Sequence, residues 1–166
     1  NLSIVKGERI GFMGVTGSGK STLLDIIMGL LSPTDGKLTI DQKPLNSQNR
    51  RAWQTHIAHV PQSIYLSDST IEENIAFGIS PELARGNLNR RVREVSAQYG
   101  LPLDPARYVH TLSVGERQRI EVVRCLLQSP KLLIMDEPTS VLTPQEVVEL
   151  FKTLRRLSDE GVSILY

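Results

Sequence analysis

The sequence predicts an α/β fold organised on a mainly parallel sheet, and three observations predict it. Short apolar runs alternate with segments of helical spacing along 166 residues, the order expected when strands and helices form separate layers. A glycine-rich loop, Gly14-Val15-Thr16-Gly17-Ser18-Gly19-Lys20-Ser21-Thr22, joins the first run to a helix. A later run, Lys131-Leu132-Leu133-Ile134-Met135, ends in the paired carboxylates Asp136 and Glu137.

Each element follows from local pattern. Arg9 to Met13 is apolar and leads straight into the glycine loop, as a buried parallel strand would. Ser21 to Leu31 has helical spacing, with Leu23, Leu24, Ile27, Leu30 and Leu31 apolar and Pro33 beyond. The turn Thr34-Asp35-Gly36 introduces a strand over Lys37 to Ile40. His56 to Val60 is a further strand, closed by Pro61-Gln62. More polar helical patterns run from Ser69 to Phe77 and from Glu82 to Tyr99, punctuated by Pro81, Gly86, Gly100, Pro102 and Pro105. Val114 to Gln128 predicts a helix capped by Ser113, with Glu116 three residues on in capping-box spacing. After the carboxylates, Pro144 to Glu160 is an amphipathic helix with Thr143 as cap and Pro144 in its first turn. Gly161 stops it, and Val162 to Tyr166 is a final strand. The strands bracket a helical insertion at roughly 63–112.

At this length one domain with a proper core is expected. The formal net charge of +1 gives no electrostatic argument for nucleic acid or for acidic lipid, and no nucleic-acid partner is expected. Cys125 is the only cysteine and cannot form an internal disulfide, which fits a reducing compartment. The apolar runs are a few residues long, far short of the ~20 that span a bilayer. The N-terminus lacks a basic region followed by an apolar one, so no signal peptide is expected. His56, His59 and His110 have no metal-ligand spacing. Trp53 is expected to pack against the helical insertion, and Cys125 to be a small core residue.

The glycine loop matches G-x-x-x-x-G-K-[ST]. Its glycines let the backbone wrap an anion with N–H groups pointing inward, and the following helix adds its positive end. Lys20 would reach the β- and γ-phosphates, Ser21 would hold magnesium, and Thr22 would lie near the α-phosphate. The other reading is a glycine-rich turn with no ligand. Asp136 ends a strand at the edge where ligands bind in such sheets and would hold magnesium opposite Ser21. Glu137 is the candidate for polarising the attacking water; the alternative is a solvated strand end. Ser113 and the free N–H groups of Val114, Gly115 and Glu116 open a helix and form a second anion site; the alternative is an ordinary capped helix.

The glycine loop, the stretch Leu112-Ser113-Val114-Gly115-Glu116-Arg117-Gln118, and Asp136-Glu137 together resemble the nucleotide-binding domain of the ABC ATPase family. The resemblance implies a P-loop NTPase fold, with a mainly parallel sheet, a small antiparallel β portion and a helical insertion. It implies one ABC ATPase domain over 1–166, with a core of 1–62 and 131–166 and a helical subdomain at about 63–130. It implies ATP and Mg2+ as ligands. Gln62 is then a catalytic residue, as Glu137 is, and one that senses magnesium and water. Ser113, Gly115 and Glu116 then close on the ATP of a second copy, head to tail. Val114 and Glu116 depart from the commonest Leu-Ser-Gly-Gly-Gln form. The implied function is an ATP hydrolase coupled to solute transport, at the cytoplasmic face of the membrane and joined to a transmembrane transporter partner. The alternatives are a nucleotide-binding fragment without turnover and a soluble ABC ATPase in translation or DNA maintenance.

The halves resemble different branches. Residues 1–79, with Val60-Pro61-Gln62-Ser63-Ile64-Tyr65-Leu66-Ser67-Asp68-Ser69-Thr70-Ile71-Glu72-Glu73-Asn74-Ile75, look like an exporter's ATPase domain. Residues 82–166, with Asp136-Glu137-Pro138-Thr139-Ser140-Val141-Leu142-Thr143-Pro144-Gln145-Glu146, look like an importer ATPase for simple sugars or nucleosides, so the chain reads as a mosaic. The resemblance also implies an adenine-stacking aromatic roughly 25 residues before the glycine loop and a switch histidine after the last strand. Thirteen residues precede Gly14 and the sequence ends at Tyr166, so the chain reads as shortened at both ends, with unaided ATP turnover reduced.

Overall fold

The computed structural model describes residues 2–15 and 17–166. Four parallel strands form one sheet: β1 (Arg9–Ile10), β4 (Ile57–Val60), β5 (Leu132–Met135) and β6 (Ser163–Leu165), in the order β1-β6-β5-β4. A separate antiparallel pair joins β2 (Thr39–Ile40) to β3 (Lys43–Pro44).

Strand β5 organises the sheet because both its faces are covered, and all four of its residues are buried. Successive side chains point to opposite faces. Leu132 and Ile134 turn to one side and pack with Leu24, Ile27 and Met28, which belong to α1 (Lys20–Ile27) and the residue after it. Leu133 and Met135 turn to the other and pack with Ile120, Val123 and Leu127 of α6 (Val114–Leu127) and Leu154 and Leu157 of α7 (Pro144–Asp159). The register carries the alternation across the sheet. Ile164 lies opposite Leu133 on the α6–α7 side, and Leu165 lies opposite Ile134 on the α1 side.

The insertion comprises α3 (Ile71–Phe77), α4 (Pro81–Ala84) and α5 (Leu88–Gln98), which lead to α6. Ile71, Ile75, Val92 and Ile120 are fully buried there, and their cluster is continuous with Ala58, Val60 and Leu133 of the sheet. Helix α6 therefore serves both regions. The single helix expected over Glu82 to Tyr99 is two helices, because Gly86 takes φ +84° between them and Asn87 caps the second. The helix expected to reach Leu31 ends at Ile27, with Gly29 at φ +70° turning the chain away.

Helix α2 (Arg50–Gln54) was not expected. Its Trp53 corrects the expectation of packing against the insertion: the ring packs on the α1 side of the sheet. The cause is the carbonyls at the end of α1 and in the two residues after it, which the helix leaves unpaired. The Trp53 indole donates to Ile27 O at 2.7 Å, Gln54 Nε2 to Met28 O at 3.3 Å, and Arg50 Nη1 to Gly29 O at 3.4 Å. Cys125 is a buried core residue, and burial pushes its thiol up to about 12.

Three helices open with the same device. Thr70 with Glu73, Ser113 with Glu116, and Thr143 with Glu146 each form a reciprocal capping box at the start of α3, α6 and α7. In each, the cap residue's backbone N–H bonds the carboxylate and holds it below the ordinary value of 4.5. A carboxylate lowered on folding contributes stability above its unfolded value, and this is lost as pH falls through its folded value. Glu73→Gln keeps the cap geometry without a titrating group. Its thermal midpoint should therefore fall less steeply than wild type below pH 4.5; parallel midpoint–pH curves would show that this box does not titrate with folding.

Candidate functional site

All four parallel strands deliver their C-terminal ends to one edge of the sheet, where loops converge. The glycine loop leaves β1 there. Gly17 and Gly19 have φ of +82° and +89°, and a Cβ on Gly14 would stand 2.6 Å from Ser18 Oγ. Glycine is thus required by conformation at two positions and by a close side chain at a third. Ser18 N bonds Val15 O at 3.1 Å and folds the loop on itself. Gly19 caps α1 without a side chain, so the first-turn N–H groups of Lys20, Ser21 and Thr22 have no side-chain cap. The Lys20 ammonium lies over the loop, donating to Gly14 O at 2.7 Å and Val15 O at 3.3 Å. Gly14, Val15, Gly17, Ser18, Gly19, Ser21 and Thr22 are exposed. Thr16 lies outside the described residues.

Two strands to the side, Asp136 N donates to Val60 O at 3.0 Å and extends the β4–β5 ladder by one residue. The next residue, Glu137, takes φ +48°, the left-handed region that a non-glycine residue enters at a cost. Its carbonyl accepts from Ser140 N at 3.2 Å and Ser140 Oγ at 3.0 Å, which fastens the turn. Its carboxylate Oε2 accepts from Gln62 Nε2 at 2.7 Å. The contact joins two residues 75 apart in sequence. Nearby on β4, burial holds the His59 imidazole below its ordinary value, against the opposing pull of Asp136 and Asp25.

Ser113 starts α6. Its Oγ accepts from Glu116 N at 3.2 Å, and Glu116 Oε2 accepts from Ser113 N at 2.9 Å. The expectation of three free N–H groups is corrected here: that of Glu116 is taken by Ser113 Oγ, because the capping box closes. Among the described residues Val114 N and Gly115 N donate to nothing within the chain. Glu116 Oε1 also accepts from Arg107 Nη1 at 2.6 Å.

Sequence reasoning missed how α6 is tied to the carboxylate turn. Gln118 Nε2 donates to Pro138 O at 2.6 Å from a buried position, and its Oε1 has no protein partner. Gly115 is buried because the Glu146 carboxylate occupies the space beside it, where an added Cβ would overlap Oε1. The only local signal for either was a polar or glycine residue on an otherwise apolar helix face. Among the described residues no hydrogen bond joins Ser113, Gly115 or Glu116 to the glycine loop or to Asp136 and Glu137.

The donor set fits magnesium: Ser21 Oγ, the Asp136 carboxylate and the Gln62 carbonyl are all oxygens, the type this ion prefers. Among the described residues no three His, Cys, Asp or Glu side chains group as a cage.

A phosphate-type glycine loop, a strand-end carboxylate pair and a capped Ser-x-Gly-Glu helix on a parallel sheet define a P-loop ATPase of the ABC class. The ABC transporter family model matches residues 1–140, and the chain belongs to that family. It is 38% identical over 173 residues to the nucleoside import ATP-binding protein NupA of Lactococcus lactis subsp. cremoris, covering 99% of this chain and 34% of the relative. That alignment runs through both halves of the chain. The structure is similar to cbiO1 of Clostridium perfringens, part of the ABC transporter complex cbiONQ, with TM-score 0.84, 30% identity, and coverage of 99% of this chain and 68% of that one. It is also similar to an ATP-binding cassette solved as a dimer in a post-hydrolysis state with ADP and Pi. Here the TM-score is 0.79 and the identity 28%, covering 99% of this chain and 76% of that one. The chain spans about a third of the length of the curated relatives it matches.

Because the Glu146 carboxylate fills the space over Gly115, Gly115→Ala should push it out of the α7 capping box. The expected loss is about 1 kcal/mol, typical of a lost helix cap. In a Glu146→Ala background the same substitution should cost much less, since the obstructing group is gone. Denaturant melts of the four proteins check this; additive losses would show that Gly115 is needed for another reason.

Proposed function

We propose that the chain is the ATP-binding cassette of a membrane transporter, one ABC ATPase domain with a core of 1–62 and 131–166 and a helical subdomain at about 63–130. The observation that carries this reading is the Gln62–Glu137 hydrogen bond at 2.7 Å, made at the sheet edge that also bears the glycine loop. The import ATP-binding relatives support the coupling to solute transport. The partner would be a transmembrane transporter domain or subunit, and the location the cytoplasmic face of the membrane. No helix among the described residues is long and apolar enough to cross a membrane.

The glycine loop, from Gly14 to Thr22, binds the triphosphate through backbone N–H groups and the first turn of α1. Lys20 exchanges its bonds to Gly14 O and Val15 O for bonds to the β- and γ-phosphates. Ser21, Asp136 and Gln62 would hold Mg2+, which when bound supplies positive charge to the phosphates. Gln62 donates to one oxygen of Glu137 and fixes its rotamer, leaving the other to accept a proton from a water. Glu137 thereby orients that water as the nucleophile. Positioning and electrostatics meet the charge of the transferred phosphoryl group, with no covalent intermediate on the protein. Ser113, Gly115 and the first turn of α6 through Glu116 belong to a second phosphate site. Among the described residues it makes no hydrogen bond to the first in the same chain, and it would be completed by a second copy, head to tail. The neighbour solved as a dimer with ADP and Pi supports the involvement of a second copy.

Lys20→Ala should weaken ATP binding by roughly ten- to a hundredfold, the worth of one charge-assisted hydrogen bond of about 1.5–3 kcal/mol. Calorimetric titration of both folded proteins measures it, and equal affinities would remove the loop assignment. Glu137→Gln should keep ATP affinity and lower phosphate release by about 100-fold or more, the range of a lost general base. Undiminished phosphate release would place the water-orienting carboxylate elsewhere.

A further inference from the structure

The helix end that is to meet a partner's triphosphate carries an acidic side chain in its own first turn. A free carboxylate there would face phosphate with like charge, an arrangement that costs affinity across an interface. Glu116 is not free. Its Oε2 accepts from Ser113 N at 2.9 Å and its Oε1 from Arg107 Nη1 at 2.6 Å. The same guanidinium donates through Nη2 to Thr111 O at 3.0 Å, and the main-chain carbonyl of Arg107 accepts from Ile71 N at 2.9 Å. Arg107 is thus fixed at both ends, by the start of α3 and by the turn before Ser113. The other acidic group beside this turn, Glu146, has its own guanidinium in Arg119 at 3.9 Å.

We propose that Arg107 is a positioning residue for the Ser113–Glu116 phosphate site. It neutralises Glu116 and holds it as a helix cap, so that the helix end offers a phosphate the N–H groups of Val114 and Gly115 and no free carboxylate. The inference rests on the reading of Ser113–Glu116 as the site for a second copy's ATP. The side chains of Arg107 and Glu116 remain 41% and 26% exposed, and pairs of that kind add little to fold stability. The purpose of this pair lies in the field it cancels. That field matters most when a partner covers the helix end and removes water.

The test is sedimentation equilibrium of the whole chain with Mg2+ and a non-hydrolysable ATP analogue. The proteins are wild type, Arg107→Ala, Arg107→Lys, Glu116→Gln and the Arg107→Ala/Glu116→Gln pair, with Ser113→Arg as the control for the underlying reading. Calorimetry on each gives the analogue's affinity for the monomer. Wild type should dimerise and Ser113→Arg should not. Arg107→Ala should weaken the dimer by roughly tenfold or more, a coupling usual for residues in one charged network, with monomer affinity unchanged. Arg107→Lys should keep most of the dimer, and Arg107→Ala should have little effect once Glu116 is glutamine. Equal weakening by Arg107→Ala in both backgrounds would make the residue a structural strut and overturn the inference alone, as would no weakening at all. A wild type that stays monomeric, or a Ser113→Arg that dimerises as wild type does, would overturn the phosphate-site reading and this inference with it.

Discussion

The covering of β5 on both faces is the constraint from which the rest of the arrangement follows. A strand with water on neither side has no polar face to turn outward, so its polar chemistry is displaced to its end. Met135 is buried and Asp136 follows at once, half-buried, with Glu137 exposed beyond it. The transition from apolar to acidic thus falls at the sheet edge where the glycine loop also emerges. Because Leu132 and Ile134 pack on α1 while Leu133 and Met135 pack on α6 and α7, a slip of one residue would exchange the two layers. The helix that begins with Lys20 and the helix that Ser113 caps are located relative to Asp136 by the same four side chains.

Helix α6 joins the two regions by serving both. Its apolar face packs at once on the sheet and on α3 and α5. Its polar contacts reach the carboxylate turn through Gln118 and Pro138 and the start of α3 through Glu116 and Arg107. Farther along, buried Glu121 pairs with Arg124, whose side chain fills the space beside Gly78. Burial raises the Glu121 carboxyl pKa, and the Arg124 charge opposes it. Only the small volume of glycine admits such a close approach, at Gly115 to a carboxylate and at Gly78 to a guanidinium.

What was legible in the sequence was local. Helical spacing and caps found α1, α3, α6 and α7, because a face repeating every three to four residues needs no knowledge of its partner, and β5 showed as an unbroken apolar run. The glycine loop and the Ser113–Glu116 box were legible for the same reason, and the Thr70–Glu73 box obeyed the same rule unnoticed. The break at Gly86 was overridden by apolar spacing on either side. The five residues of α2 are too few to show a period, and β3 comprises only Lys43 and Pro44. In the candidate site, Lys20, Asp136 and Glu137 announced themselves by motif. Arg107, Gln118 and Glu146 did not, since each acts through a contact with a residue that nothing in its own neighbourhood names. Trp53 was misplaced for that reason too: a carbonyl left open by α1, not sequence proximity to the insertion, decides where the indole goes.

That indole has an optical consequence. Trp53 is the only tryptophan in the chain, and its N–H is bonded to the last residue of the helix whose first residue is Lys20. Eight residues of helix amount to about 12 Å of rigid rod. One end carries the glycine loop and the other meets the chain's single indole chromophore. Indole emission shifts with the strength of the hydrogen bond its N–H makes and with the polarity around it. The molecule therefore carries its own fluorescent gauge of α1, readable without a label and packed in a different apolar cluster from the insertion.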